Sequence, residues 1–221
     1  MVATLFTNRI GGVSRSPYAT NNLAFHVEDN VEVVAENRRQ HGRIVGPTQF
    51  MNQTHSDVVA FVEGFSPQDP NADGLVTTER GIALGVLVAD CIPLLLWSGE
   101  VVAAVHVGRK GLLNAVALNA LRVMTSLGAE KIEGVLGPSI CGKCYEVGED
   151  VYEQVSEKYP FARALTSKGT LSLDLPMALS RELMEQGVNI TRSNICTFEN
   201  PNFFSYRRDG VTGRQSGVVR L

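Results

Sequence analysis

Three residues are of types that hold a catalytic metal, and each stands at the margin of an apolar run. His55 follows Asn52-Gln53-Thr54 at the start of a predicted strand. Cys91 lies in Ala89-Asp90-Cys91-Ile92-Pro93, and His106 closes the run Val101 to Val107 beside Gly108. Two neutral imidazoles and one thiolate make a ligand set that zinc uses for catalysis, with a fourth position left for water. Zinc held this way lowers the pKa of its water to about 7 and so supplies hydroxide at neutral pH. The long spacings match no short zinc motif. The competing reading is a cysteine acting as a small hydrophobe and two ordinary histidines at strand ends.

Cys141-Gly142-Lys143-Cys144 has the spacing of a redox or zinc motif. A redox pair opens a helix, whose dipole lowers the first thiol's pKa. This one follows Gly137-Pro138 and precedes Tyr145-Glu146, which predicts a loop. No second CxxC completes a structural zinc site, so two unpaired loop thiols are expected. The basic residues form a third group. Arg9 precedes Gly11-Gly12, Arg38 and Arg39 lie on the first predicted helix, and Arg207 and Arg208 follow Tyr206. Gly108-Arg109-Lys110-Gly111 precedes a helix, where glycine permits close backbone approach and the helix start favours anions. Singly these are solvated charges; as a set flanking the metal ligands they predict an anionic co-substrate.

The elements that must position these residues are legible as periodic segments. Val2 to Phe6 reads as a strand and Val58 to Val62 as another. Ile82 to Val88 and Ile92 to Trp97 lack polar alternation, so both faces should be buried. Ser98-Gly99-Glu100 reads as a hairpin turn into Val101 to Val107. Asn30 caps a helix running to Val45 and stopped by Gly46-Pro47. Leu112 to Leu127 has helical periodicity ending at Gly128. Ile132 to Leu136 is a strand, Gly148 to Tyr159 and Met177 to Gln186 are helices, and Ile195 to Phe198 is a late strand. The interleaving predicts one α/β domain over residues 1–221: a mixed sheet covered by helices on both faces.

Composition removes several classes of function. With 221 residues, 44% of them hydrophobic, the chain is a globular domain rather than a disordered one. Twenty basic residues against twenty-three acidic ones leave no excess for nucleic acid or an anionic membrane. The longest apolar run, Gly81 to Trp97, is short for a membrane span and contains Asp90 and Pro93. The opening residues show no secretory pattern, which predicts a cytoplasmic protein with four reduced cysteines. His26, His41, His55 and His106 are too few for the many imidazoles of a multicopper oxidase.

The chain resembles the bacterial laccase-domain family. The resemblance is carried by Thr7-Asn8-Arg9-Ile10-Gly11-Gly12-Val13-Ser14, Asn21-Asn22-Leu23, Glu36-Asn37-Arg38, Gln53-Thr54-His55, Ala89-Asp90-Cys91-Ile92-Pro93 and His106-Val107-Gly108. Gly137-Pro138-Ser139-Ile140, Cys144-Tyr145-Glu146-Val147-Gly148, Ser205-Tyr206-Arg207-Arg208-Asp209 and Thr212-Gly213-Arg214-Gln215 continue it in order. It implies an α/β/α sandwich around a mixed sheet and one zinc on His55, Cys91 and His106. It further implies phosphorolysis of adenosine, inosine, guanosine and methylthioadenosine, and deamination of adenosine. A copper-dependent phenol oxidase and a peptidoglycan-editing hydrolase are the alternatives within the same resemblance.

Within that frame, Arg9, Arg38 or Lys110 would hold phosphate. Asp73, Asp90 and Glu146 are the motif-borne carboxylates available for proton transfer, and His26 is a substrate contact. The sequence departs from the family at Val107-Gly108-Arg109-Lys110-Gly111, where Ala-Gly-Trp-Arg-Gly is usual. Cys141 also stands where a glycine is common. Lys110 keeps the charge of the usual arginine but not its two-pronged donor.

Overall fold

The computed structural model describes residues 2–221. In chain order the strands and helices are β1 (Ala3–Phe6), α1 (Val31–Val45), β2 (Thr48–Gln49), β3 (Val59–Phe61), β4 (Gly74–Thr77), β5 (Ala83–Val88), β6 (Ile92–Ser98) and β7 (Val101–Val107). They continue with α2 (Arg109–Leu113), α3 (Val116–Ser126), β8 (Glu133–Leu136), α4 (Glu149–Lys158), β9 (Arg163–Leu165) and β10 (Leu171–Leu173). The chain closes with α5 (Leu175–Glu185), β11 (Asn189–Arg192), α6 (Tyr206–Asp209) and β12 (Gln215–Arg220). No helix among them is long and apolar enough to cross a membrane.

The α/β class and the mixed strand directions are as expected, but the layer between the helices is double. One sheet has the order β1-β12-β5-β2 and the other β11-β8-β6-β7-β4-β3, with β9 and β10 forming a separate pair. Parallel pairing of β2 with β5, β3 with β4 and β8 with β11 makes both large sheets mixed. The strand alternation explains the two layers. Leu84, Val86 and Val88 of β5 join Leu95 of β6 and Val102 and Ala104 of β7 between the sheets. Leu94 and Leu96 turn the other way, onto Ala117, Ala120 and Met124 of α3 and Leu179 and Leu183 of α5. On the far side, Ala83 packs with Val45 at the end of α1. The unbroken apolar runs of β5 and β6 are thus strands with a covered layer on either face. Each fully buried Leu or Val among them contributes about 1.5–3 kcal/mol.

α1 begins where Asn30 caps it, its side-chain oxygen accepting the N–H groups of Glu32 and Val33 at 3.0 and 3.1 Å. The expected helix Leu112 to Leu127 is instead two helices. Ala115 takes a left-handed conformation with φ 62° and breaks the run. No glycine or proline marks the break, so the periodicity reads through it. Ile195 to Phe198 is not a strand. Cys196 makes one isolated bridge to Ser139, and the carbonyls of Thr197 and Phe198 accept from Arg208 instead of a neighbouring strand. The strand of this region is β11, six residues earlier. β4 and β12, short and interrupted by small residues, carry no readable alternation, although β12 pairs with both β1 and β5.

His41 on α1 supplies a stability test remote from the site. It is buried against Phe50, and its Nε2 has no hydrogen-bond partner among the described residues. Burial, helped by the Arg38 charge, pushes its pKa down from 6.5 to about 4. The unfolded chain therefore takes up a proton near pH 6.5 that the folded chain refuses until about pH 4, so stability falls as pH drops through that window. The loss is about 3 kcal/mol at most. His41→Leu should flatten the fall in Tm between pH 6.5 and 4, and an unchanged slope would refute the assignment.

Candidate metal centre

The chain crosses from one sheet to the other between β5 and β6, and Cys91 sits on that crossing. Asp90 turns the backbone there with φ 93°. Its carboxylate accepts from Thr197 Oγ1 and from the Arg207 N–H, both at 2.7 Å, and its carbonyl accepts from the Ile140 N–H. His106 lies next to the end of β7, paired in register with Pro93 of β6, two residues beyond Cys91. His55 does not begin a strand. It stands in the loop before β3, in a left-handed conformation with φ 59°.

These three residues converge. One ligand atom from each of His55, Cys91 and His106 lies within 4.8 Å of the other two, and the two imidazole rings are 4.7 Å apart between centroids. His106 is buried, Cys91 half-buried and His55 exposed, so the group opens to one side. Gly108 keeps the cradle open. A Cβ there would sit 2.9 Å from both Cys91 Sγ and His55 Nδ1. Overpacking of that kind costs about 1–3 kcal/mol, or roughly 5- to 150-fold in affinity. The backbone at Gly108 is extended, with φ −92°, and tolerates any residue. Gly108→Ala should therefore weaken metal binding by that factor while the far-UV spectrum stays native; an unchanged metal affinity would place the metal elsewhere.

Asp73, immediately before β4, organises the centre without joining it. Its Oδ1 lies 2.8 Å from His106 Nδ1, and its carbonyl accepts the His106 N–H at 2.7 Å. The same carboxylate accepts the backbone N–H groups of Thr54, His55 and Ser56 and the Ser56 hydroxyl. Burial alone would raise the Asp73 pKa, but the bonds from His106 and Ser56 together outweigh it and hold the acid well below the usual carboxylate range. An ionised Asp73 accepts Nδ1–H of His106 and leaves Nε2 as the nitrogen that can give up its proton to a metal, the usual support for a metal-binding imidazole. Burial pulls His106 down, yet the Cys91 sulfur and the Asp73 carboxylate lift it to about 9. The same negative surroundings that favour a proton on that imidazole favour a cation beside it.

The three residues line the floor of a cleft of about 520 Å³. His26 lies on its wall, with its pKa lowered by burial and by the charges of Arg214 and Arg38. Tyr145 and Tyr206 offer aromatic faces, and the cations lining it are Arg207 and Arg214. Arg207 stacks over Tyr145 and donates to the Glu146 carbonyl at 2.5 Å.

The expected convergence of Arg9, Arg38 and Lys110 on an anion is not what the fold builds. Arg9 donates to the Ala19 carbonyl and stacks on Phe204, and Arg38 is held by the Leu23 carbonyl, Asp69, Phe25 and Phe50. Lys110 is exposed on α2, outside the cleft lining, although its charge is felt at His55. Arg109 bonds Gln154 and borders a small adjoining cavity. The three carboxylates differ in how far they are engaged. Asp73 is filled by hydrogen bonds, Asp90 lines the cleft with each oxygen accepting one bond, and Glu146 is exposed and lends the cleft only its carbonyl. Arg214 gave no local signal beyond its place in Thr212 to Gln215.

A family model described as multi-copper polyphenol oxidoreductase laccase matches residues 3–221. The chain belongs to that family. Laccase-family relatives named purine nucleoside phosphorylase include one from Corynebacterium glutamicum, 43% identical, with 100% of this chain and 94% of the relative covered. Another, from Streptomyces coelicolor, is 42% identical, with 98% and 94% covered. Among solved structures, a Neisseria meningitidis protein matches with a TM-score of 0.89 at 35% identity, covering 100% of this chain and 94% of that one. YlmD from Geobacillus stearothermophilus matches with a TM-score of 0.90 at 28% identity, covering 100% and 92%. The description of the laccase family mentions several coppers, but this cleft holds three imidazoles, His26, His55 and His106, fewer than a multicopper set requires.

Proposed function

We propose that this chain is a zinc-dependent purine nucleoside phosphorylase that also deaminates adenosine, residues 1–221 acting as one catalytic domain. The observation that carries the reading is an open three-ligand His-Cys-His set on the floor of a cleft whose walls carry arginine and tyrosine. The names of the relatives, purine nucleoside phosphorylase throughout those quoted, agree with it. His55, Cys91 and His106 would hold the zinc. Bound there, it supplies Lewis-acid polarisation and hydrolytic chemistry at neutral pH.

The chain's own residues do the rest. Tyr145 and Tyr206 present faces on which a purine can stack. Arg207 and Arg214 supply positive charge for phosphate, in the role the sequence suggested for Arg9, Arg38 and Lys110. His26, whose pKa is lowered by desolvation and by the charges of Arg214 and Arg38, offers a hydrogen bond to the nucleoside. In phosphorolysis a phosphate oxygen forms a bond to C1′, the C1′–N9 bond breaks, and the purine leaves with a proton. In deamination water replaces the 6-amino group and ammonia leaves.

The test is the phosphate dependence of the two reactions. Inosine cleavage should rise with phosphate and vanish without it, while adenosine deamination should be indifferent to it. Arg214→Gln should raise KM for phosphate by about ten- to a hundredfold, the worth of one charged hydrogen bond of about 1.5–3 kcal/mol. Base release at equal rate with no phosphate would identify a hydrolase instead. Activity that stops under anaerobic conditions would identify the oxidase.

A further inference from the structure

Behind the cleft the fold assembles a second group of metal-binding side chains. Cys141 and Cys144 lie on the loop between β8 and α4, and Cys196 and Glu199 on the loop between β11 and α6. One ligand atom from each of the four lies within 4.8 Å of the others. A tetrahedral zinc with bonds of about 2.3 Å to sulfur needs its sulfurs roughly 3.7 Å apart, a spacing inside the 4.8 Å within which these ligand atoms already lie. The two loops repeat one spacing: Cys-x-x-Cys on the first, Cys-x-x-Glu on the second. Paired turns of this spacing, each giving two ligands, are the usual architecture of a closed structural zinc site.

Both turns are already formed. Cys144 and Tyr145 each donate a backbone N–H to the Cys141 carbonyl at 3.0 Å, and Asn200 does the same to Cys196. Gly142 fixes the first turn against α5, since a Cβ there would fall 2.7 Å from Asp174 Cβ. Ser139 and Cys196 form a β-bridge, and the Cys141 N–H donates to Cys196 Sγ at 3.4 Å, a donor that stabilises a thiolate. On the outer side Cys144 Sγ lies 3.4 Å from the Glu199 carboxylate. The cluster is closed inward by buried Cys196 and outward by exposed Glu199. No two of the four cysteines are bonded to each other in the structure.

We propose that Cys141, Cys144, Cys196 and Glu199 bind a second, structural zinc ion that staples these two loops together. Its position gives it a purpose. The first loop holds the Asp90 carbonyl through Ile140, and the second holds the Asp90 carboxylate through Thr197. Asp90 sets the turn that presents Cys91. The staple therefore ties down the wall behind the catalytic floor and takes no part in the reaction.

The experiment uses the full chain carrying Cys91→Ala, so the His-Cys-His centre lacks its sulfur and the result does not depend on the proposed activity. The reduced protein is loaded with cobalt(II) or zinc under argon and desalted. The expected result is one tightly held equivalent, with the intense sulfur-to-cobalt charge-transfer band of a centre with several thiolates. Adding Cys144→Ser and Cys196→Ser should abolish that band. Should those substitutions prevent folding, Glu199→Gln at the exposed ligand should still weaken zinc binding by at least about tenfold, since even an outer supporting partner is worth about 10–100-fold. A Cys91→Ala chain that retains no cobalt, a band that survives the two serines, or zinc affinity unmoved by Glu199→Gln would each overturn the proposal. So would a Cys141–Cys144 or Cys141–Cys196 disulfide found by alkylation of the protein as purified.

Discussion

Cys91→Ala should abolish both reactions while leaving a folded protein. Cys91 is half-buried on the crossing between the sheets, and its loss removes one small side chain from the edge of the inter-sheet apolar layer. Stability should therefore fall by about 1 kcal/mol, the typical effect of a point change. Activity should fall far more. Removing an outer partner of a metal ligand costs about 10–100-fold, and removing a ligand itself should exceed that, taking kcat/KM down by more than about a hundredfold. The two quantities separate the readings. Loss of turnover with Tm within a few degrees of wild type identifies a ligand. A variant with full turnover would show that the sulfur is merely a small hydrophobe.

Asp73→Asn is expected to damage fold and centre together. The side chains have the same shape, but one acceptor oxygen becomes an amide that can only donate. Every partner of the Asp73 carboxylate donates: three backbone N–H groups, the Thr54 and Ser56 hydroxyls and His106 Nδ1–H. At least one donor is left facing another inside a fully buried pocket. A buried charged hydrogen bond is worth about 1.5–3 kcal/mol, and an orphaned donor adds to the loss. A deficit of about 3 kcal/mol corresponds to a Tm lower by about 6–12 °C for a chain of this size. The metal effect is separate, because His106 loses the acceptor that keeps Nδ1 protonated. Zinc affinity, measured below the lowered Tm, should fall about 10–100-fold. An affinity unchanged in that temperature range would leave Asp73 as a loop anchor only.

The split between what a linear reading reveals and what it hides follows from the range of the forces involved. Segments whose periodicity or capping is local are legible along the chain. The buried runs of β5, β6 and β7, the Asn30 cap and the stop at Gly46-Pro47 are short-range facts about which faces are apolar and which N–H groups need acceptors. The linear sequence also indicates candidate ligand types, because Cys91 and His106 stand at the edges of those runs; His55 lies in a loop before β3 and reaches them only through the fold. Tertiary structure alone decided the remainder. Which arginine lines the cleft depends on neighbours far away in the chain, so Arg214 lies on the wall, held there by the Thr212 and Gly213 carbonyls, while Arg9 and Arg38 are tied into loop packing. Asp73 looked like a proton carrier, but the loop of His55 folds over it and fills its oxygens with N–H donors. The CxxC looked incomplete because its partners, Cys196 and Glu199, arrive more than fifty residues later. They meet it only because β11 pairs in parallel with β8 and brings the two following loops out at the same sheet end. Periodicity reports the face of an element; convergence of side chains is set by where the chain crosses between layers, which no local spacing encodes.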